Sequence, residues 1–183
     1  LKPPEGKIVW ISEKGVVYMG GNRPKLSIPK TTREKLWDLV GVGSYVGMTG
    51  LLVMTWTSLP DQVPAHYSLT EITRWGSKYE LLILPAIGLM LGLSMHLLEK
   101  FPEVHNYPDR LNESNARAFY LNSRQMLNVM KNSFVLVFSL LAFETVTIAM
   151  GWVKGMFEWF LPVVLIGMMV PIVEAILKRK KIT

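Results

Sequence analysis

An all-α integral membrane protein of four transmembrane helices, preceded by a short N-terminal cytoplasmic β-hairpin, is the fold class this sequence predicts. Three observations predict it. Half of the 183 residues are hydrophobic and only 19% are charged, against about 25% in soluble domains. The apolar residues are bunched into runs nearly free of charge: residues 39–57 carry none in 19, 81–98 only His96 in 18, 134–153 only Glu144 in 20, and 159–173 none in 15. Lys and Arg alternate in density between the segments separating these runs, with seventeen on one side of the implied membrane and three on the other.

At about 1.5 Å of rise per residue, 19 residues reach about 28 Å, close to the roughly 30 Å of bilayer hydrocarbon. The spans are set at about 39–57, 81–98, 133–153 and 159–177, in a membrane domain of residues 36–183 behind a cytoplasmic segment of 1–35. Four buried core helices of a soluble protein are the alternative. The Lys and Arg bias places both termini in the cytoplasm of a multi-pass cell-membrane protein. It also makes the net charge of +6 a topology signal, so no nucleic-acid partner is expected. Trp37 falls at the inner end of the first span, and Trp56, Trp75, Trp152 and Trp159 fall at the outer boundary, as an aromatic belt would. With no cysteine, disulfides and thiolate chemistry are excluded. The chain begins with Leu1, and a missing N-terminal stretch is expected ahead of it.

Taken in order, residues 7–19 hold two β-branched runs around Glu13-Lys14-Gly15, the pattern of a short hairpin. Pro24 and Pro29 then argue against helix. The first span carries Gly41, Gly43, Ser44, Gly47 and Gly50, and the second carries Gly88 and Gly92. Small residues four apart let helix backbones approach closely, so packing between helices one and two is expected, with a dimer seam as the alternative. Pro85, Pro162 and Pro171 start or kink helices without breaking the spans. Between the second and third spans, residues 110–132 read as a helix running into the third span. Arg117, Arg124 and Lys131 recur every seven residues on one face, beside Asn128. Such a cytoplasmic basic face meets lipid phosphates or water, or docks a cytoplasmic partner. Glu174 lies four residues before Lys178, which explains it as an interfacial pair.

The corner after the first span, "SLPDQVPAHY", is stiff and polar. Pro60 and Pro64 hold its backbone extended, Asp61 caps a turn, and His66 and Tyr67 follow at headgroup depth. The loop returns through "RWGSK", with Trp75 anchored in the interface and Lys78 snorkelling to phosphates. Leu59, Pro60, Asp61, Val63, Pro64, His66 and Tyr67, followed by Trp75, Gly76, Ser77 and Lys78, resemble the family called domain of unknown function 1648. The intervening "SLTEIT" departs from that pattern in lacking a glycine. The resemblance covers about 40 residues. It implies a small multi-span membrane protein, in a family that includes SdpI-like immunity and signalling proteins of bacteria.

Glu144 is the one carboxylate near the middle of a span, and the sequence sets it near mid-membrane, where Tyr45 and Thr49 match its depth as partners. A carboxylate there costs at least ~2.5–3.5 kcal/mol, so it is protonated or paired. A hydrogen-bonded structural acid, a proton or cation site and a contact to another subunit remain open. The topology separates His66 from His96 and His105. An inner site of the latter two with Glu99 or Glu103 lacks any strict ligand spacing, and Asp61, His66 and Glu71 outside could bind a metal together, against structural hydrogen bonding of the loop as the leading reading. No metal and no cofactor are expected. Nucleophile elbows, phosphate-binding loops and zinc-protease helices are absent from the sequence, so no enzyme activity is expected. The leading function is a non-catalytic, SdpI-like immunity or sensor role. In it Asp61, His66, Tyr67 and Lys78 bind a protein or peptide partner, while Leu59, Pro60, Pro64, Trp75 and Gly76 shape the loop. The alternatives are an accessory or structural subunit of a larger membrane complex and a small proton- or ion-coupled transporter centred on Glu144; a homo-oligomer or a larger complex is the expected assembly.

Overall fold

The computed structural model describes residues 9–12, 15–18, 23–68, 71–155, 157 and 159–183. Strands β1 (Val9–Ser12) and β2 (Gly15–Tyr18) pair antiparallel, with Val9 opposite Tyr18, so the expected N-terminal hairpin is present. Its Glu13 and Lys14 lie outside the described residues.

Helix α1 (Thr32–Thr55) begins seven residues ahead of the apolar run, because a capping box fixes its start. The Thr31 side chain accepts from the Glu34 N–H, and the Glu34 carboxylate accepts from the Thr31 N–H at 2.7 Å. Two donors left free at a helix start are thereby satisfied at once. The extra two turns carry Glu34 and Asp38 into the bundle.

The loop after α1 is not an irregular corner. It forms a second hairpin of β3 (Gln62–Ser68) and β4 (Glu71–Ser77), which adds a two-stranded sheet to the expected all-α membrane domain. Aromatic and β-branched residues such as Val63, Tyr67, Ile72 and Trp75 favour the pleated conformation. Pro64 is accommodated because both strands of a two-stranded sheet are edges. A 3-10 turn (Lys78–Leu82) leads into α2 (Ile83–Lys100), whose Pro85 sits in the first turn, where no helical N–H bond is lost.

Helix α3 (Ala116–Ala149) has 34 residues, about 51 Å at the usual rise. It fuses the expected amphipathic helix to the third span and stops four residues before the expected end at 153. Helix α4 (Phe160–Lys181) has Pro162 in its first turn and Pro171 buried inside it. All four helices are long and apolar enough to cross a membrane. Four such helices are the pattern of a multi-pass membrane protein in a lipid environment.

Half of the residues of α3 are buried, which makes it the central helix. Helices α1, α2 and α4 pack around it, while α1 and α2 barely touch one another. The glycines therefore do not seal helix one to helix two as expected. Gly88 and Gly92 face Phe138 and Val135 of α3, Gly41 faces Asn132 of α3, and Gly43, Gly47 and Gly50 face open space. At the hairpin end, Met48, Leu52, Leu59, Val63, Leu81, Ala142 and Val146 form one core. At the other end, Tyr107, Ala116, Phe119 and Tyr120 form a second.

Candidate functional site

At the hairpin end the signature residues separate into anchors and presented groups. Leu59 and Val63 are buried in the core, and the Tyr67 hydroxyl lies 3.2 Å from Thr145 Oγ1 on α3. Pro64 is buried and Pro60 exposed. Lys78 closes the base of the hairpin: its N–H donates to the Asp61 carbonyl at 3.0 Å, and its Nζ lies 3.2 Å from Asp61 Oδ1. The same ammonium sits 6.0 Å from the Trp56 ring centroid, so Lys78 is tied inward and does not reach for phosphates as expected. Gly76 is required by packing. A Cβ there would fall 2.2 Å from Glu80 Oε1 and 2.8 Å from the Ala65 Cβ, because Glu80 folds back to cap Ser77 and pair with Arg74. Asp61, His66, Arg74 and Trp75 are exposed.

Glu144 lies in the last two turns of α3, beside this hairpin and not at mid-span. The reason is the early end of α3 at Ala149, which turns the chain back so that Glu144 Oε1 accepts the Phe157 N–H at 2.5 Å. Its Oε2 has no hydrogen-bond partner among the described residues. Neither expected partner reaches it: Thr49 donates to the Tyr45 carbonyl within α1, and Tyr45 packs against the hydrophobic core.

The larger correction is at the other end. Arg124 and Lys131 do not meet phosphates or water; both are buried, and only Arg117 of the heptad row is exposed. Arg124 grips Glu34 with Nε to Oε1 at 2.7 Å and Nη2 to Oε2 at 3.0 Å. It also donates to the Ile28 and Pro29 carbonyls at 2.5 and 3.0 Å. Lys131 Nζ lies 2.9 Å from Asp38 Oδ1 and 2.9 Å from Glu99 Oε1, joining α1, α2 and α3. Asn128 and Asn132 donate to the same Asp38 oxygen at 2.8 and 3.1 Å, and Lys30 donates to the other. Buried charges persist only when paired and hydrogen-bonded, and here every acid faces a base. A second fork, Arg33 to Glu174 at 2.6 Å on both oxygens, ties α1 to α4. The expected Glu174–Lys178 pair is also present, at 2.7 Å. The seven-residue recurrence of basic residues was the signal for this seam. Its complement, Glu34 and Asp38 one turn apart in α1, went unread.

The inner histidines divide. His105 is held by Ser123 Oγ at 2.8 Å and the Leu98 carbonyl at 2.9 Å, as part of the loop packed under α3. In the same loop Tyr107 donates to the Pro102 carbonyl at 2.8 Å, and burial pushes its hydroxyl up to about 12. His96 stands at the rim of the seam, 3.8 Å from Glu99. Among the described residues no group of three His, Asp or Glu is placed to hold a metal ion.

Because α1 and α2 both pack on α3 but scarcely touch one another, a cleft of about 390 Å³ opens between them beside the seam. Its walls are Val42, Tyr45 and Val46 on one side and Leu89 and Leu93 on the other, with Val135 of α3 as the floor. Lys30, Asp38, His96, Lys131 and Asn132 line its polar end.

Comparison with known proteins adds a family and little chemistry. An uncharacterized protein of Archaeoglobus fulgidus is 36% identical over 73 residues, which is 38% of this chain and 38% of that protein. The chain thus matches well under half the length of this curated relative. No solved structure matches. The model of a family described as a domain of unknown function, DUF1648, matches residues 45–89, from the middle of α1 through the hairpin into α2. Over that stretch the chain carries the DUF1648 pattern, and the resemblance read from its loop is borne out.

Proposed function

We propose that this is a non-catalytic, multi-pass membrane protein, with both termini cytoplasmic, that engages a peptide or protein partner at its extracytoplasmic face through the β3–β4 hairpin. The observation that carries the reading is the division of the signature residues. Leu59, Val63 and Tyr67 fasten the hairpin to the bundle, and the Lys78–Asp61 clasp closes its base, while His66, Arg74 and Trp75 stand outward on it. A surface ordered before binding loses little entropy on binding. An SdpI-like immunity or sensor role is the specific form of this reading, with the hairpin as the element that meets the secreted molecule.

The membrane placement agrees with the lengths. Roughly 20 residues counted back from the hairpin end of α3 span the hydrocarbon, which leaves Arg124 and the start of α3 beyond it on the cytoplasmic side. The test is the mass and composition of the native particle, purified through this chain in mild detergent, compared with a His66→Ala/Trp75→Ala variant. A partner retained by the parent and lost by the variant at equal membrane abundance supports the reading. Equal loss of abundance reduces these residues to folding roles and sinks it.

The open glycine face of α1 favours a second reading, that of an accessory subunit in a larger membrane complex. Gly43, Gly47 and Gly50 meet nothing within the described chain, and such faces pack closely on other helices. A stoichiometric set of unrelated subunits that survives the hairpin variant would select it.

A further inference from the structure

We infer that the cleft between α1 and α2 holds one acyl chain of an anionic bilayer lipid, with the phosphate at Lys30 and His96. The inference rests on the helices spanning a membrane and is independent of what the hairpin binds. Its volume, about 390 Å³, lies within the usual range for small-ligand sites, roughly 300–1,000 Å³. The lining residues of α1 run from Asp38 to Val46 and those of α2 from Gly88 to His96. Each stretch is about 12 Å along its helix, so the cleft is elongated along the bilayer normal, the direction in which an acyl chain lies.

Apart from Tyr45, the walls are aliphatic and offer nothing for a polar solute. Val42, Val46, Leu89 and Leu93 are exposed on the flanks, so the cleft opens sideways to lipid, and no described residue closes it. At the polar end, charge accessibility selects the headgroup. The acids are spent: Asp38 Oδ1 accepts from Asn128, Lys131 and Asn132, its Oδ2 accepts from Lys30, and Glu99 is buried against Lys131. The donors at the rim are not spent. Side chains of Lys30 and His96 are 38% and 40% exposed, and Lys30 keeps ammonium protons beyond the one given to Asp38. A phosphate arriving from the bilayer therefore meets donors, with the matching carboxylates already saturated behind them.

The test is native mass spectrometry of the full chain in mild detergent, with phosphatidylglycerol and phosphatidylcholine added in equal amounts. One phosphatidylglycerol retained per chain, in preference to phosphatidylcholine, is expected. Val46→Trp fills the cleft from one wall and Leu93→Trp from the other, and each abolishes retention, so a folding defect in one leaves the other to decide. Lys30→Gln lowers the preference for the anionic lipid about fivefold and His96→Gln lowers it less, while a lipid is still retained in both. Retention unchanged in both tryptophan variants, or a preference unchanged in both glutamine variants, would overturn the inference. So would a lipid-free homodimer with the cleft at its interface. A chain recovered from the aqueous fraction without detergent would overturn the membrane reading itself, a result distinct from any of these.

Discussion

Gly41 and Asn132 meet so closely across the contact of α1 with α3 that a Cβ on Gly41 would fall 2.0 Å from Asn132 Oδ1. Asn132 cannot simply withdraw, because its Nδ2 is engaged by Asp38 and by the Asn128 carbonyl. Gly41→Ala should therefore destabilise the bundle by ~1–3 kcal/mol, the usual cost of overpacking. Gly47→Ala, six residues along the same helix and facing open space, should be neutral or stabilising by up to ~1 kcal/mol, since alanine is the better helix former. Thermal unfolding in detergent of the two variants side by side checks the contrast. Equal midpoints would mean that α1 does not pack on α3 through Gly41.

Arg124→Ala leaves Glu34, 1% exposed, as an uncompensated buried carboxylate. The expected loss is ~3–5 kcal/mol, and replacing both partners by Glu34→Gln with Arg124→Met recovers much of it. Arg124→Lys should fall between, because an ammonium cannot reproduce the fork onto Glu34 and the two backbone carbonyls. A double-mutant cycle on the unfolding midpoint reads the coupling. Additive effects would show that the pair is not buried as a unit.

Glu144→Ala orphans the Phe157 N–H at a cost of about 1–3 kcal/mol. Glu144→Gln keeps an acceptor for that N–H and removes the cost of a buried charge, so it should be no less stable than the parent. A glutamine variant as damaged as the alanine one would show that the charge, and not the hydrogen bond, holds Phe157 against α3.

Gly76→Ala pushes a methyl group into Glu80 and Ala65 and should loosen β3 from β4. Protease cleavage within residues 62–77 should rise about tenfold, the consequence of a small change in opening free energy. An unchanged cleavage rate would mean that the hairpin tolerates the methyl group and that Glu80 is not locked in its cap.

The helices were legible because lipid-facing runs need only length and the absence of charge. The first hairpin was legible from β-branched alternation around a Gly-containing turn. The second was obscured by its two prolines, which mark extended backbone but argue against a strand unless both strands are edges. The loop signature was found by its residues, but its logic was not. That Gly76 is required by Glu80 returning four residues later is a tertiary fact. Depth was misjudged for Glu144 because hydropathy runs straight through residues 134–153, whereas the helix itself stops at Ala149. The basic heptad row was seen and turned the wrong way. A charge facing water and a charge facing an acid on another helix look identical along one strip of sequence. Only pairing the row with Glu34 and Asp38 distinguishes them.

The central place of α3 also sets an order in time. A chain emerges from its N-terminus first, so α1 and α2 are made before any part of α3, and they scarcely touch. Until residue 131 is complete, Glu34, Asp38 and Glu99 have no Arg124 or Lys131 to meet. The first half of the molecule is therefore a pair of helices that wait apart, with Glu34 and Glu99 still lacking their partners on α3, for the third to arrive and draw them together. Assembly should be abrupt and late, triggered by one helix, and a nascent chain halted after α2 should remain open to capture by whatever inserts helices beside it.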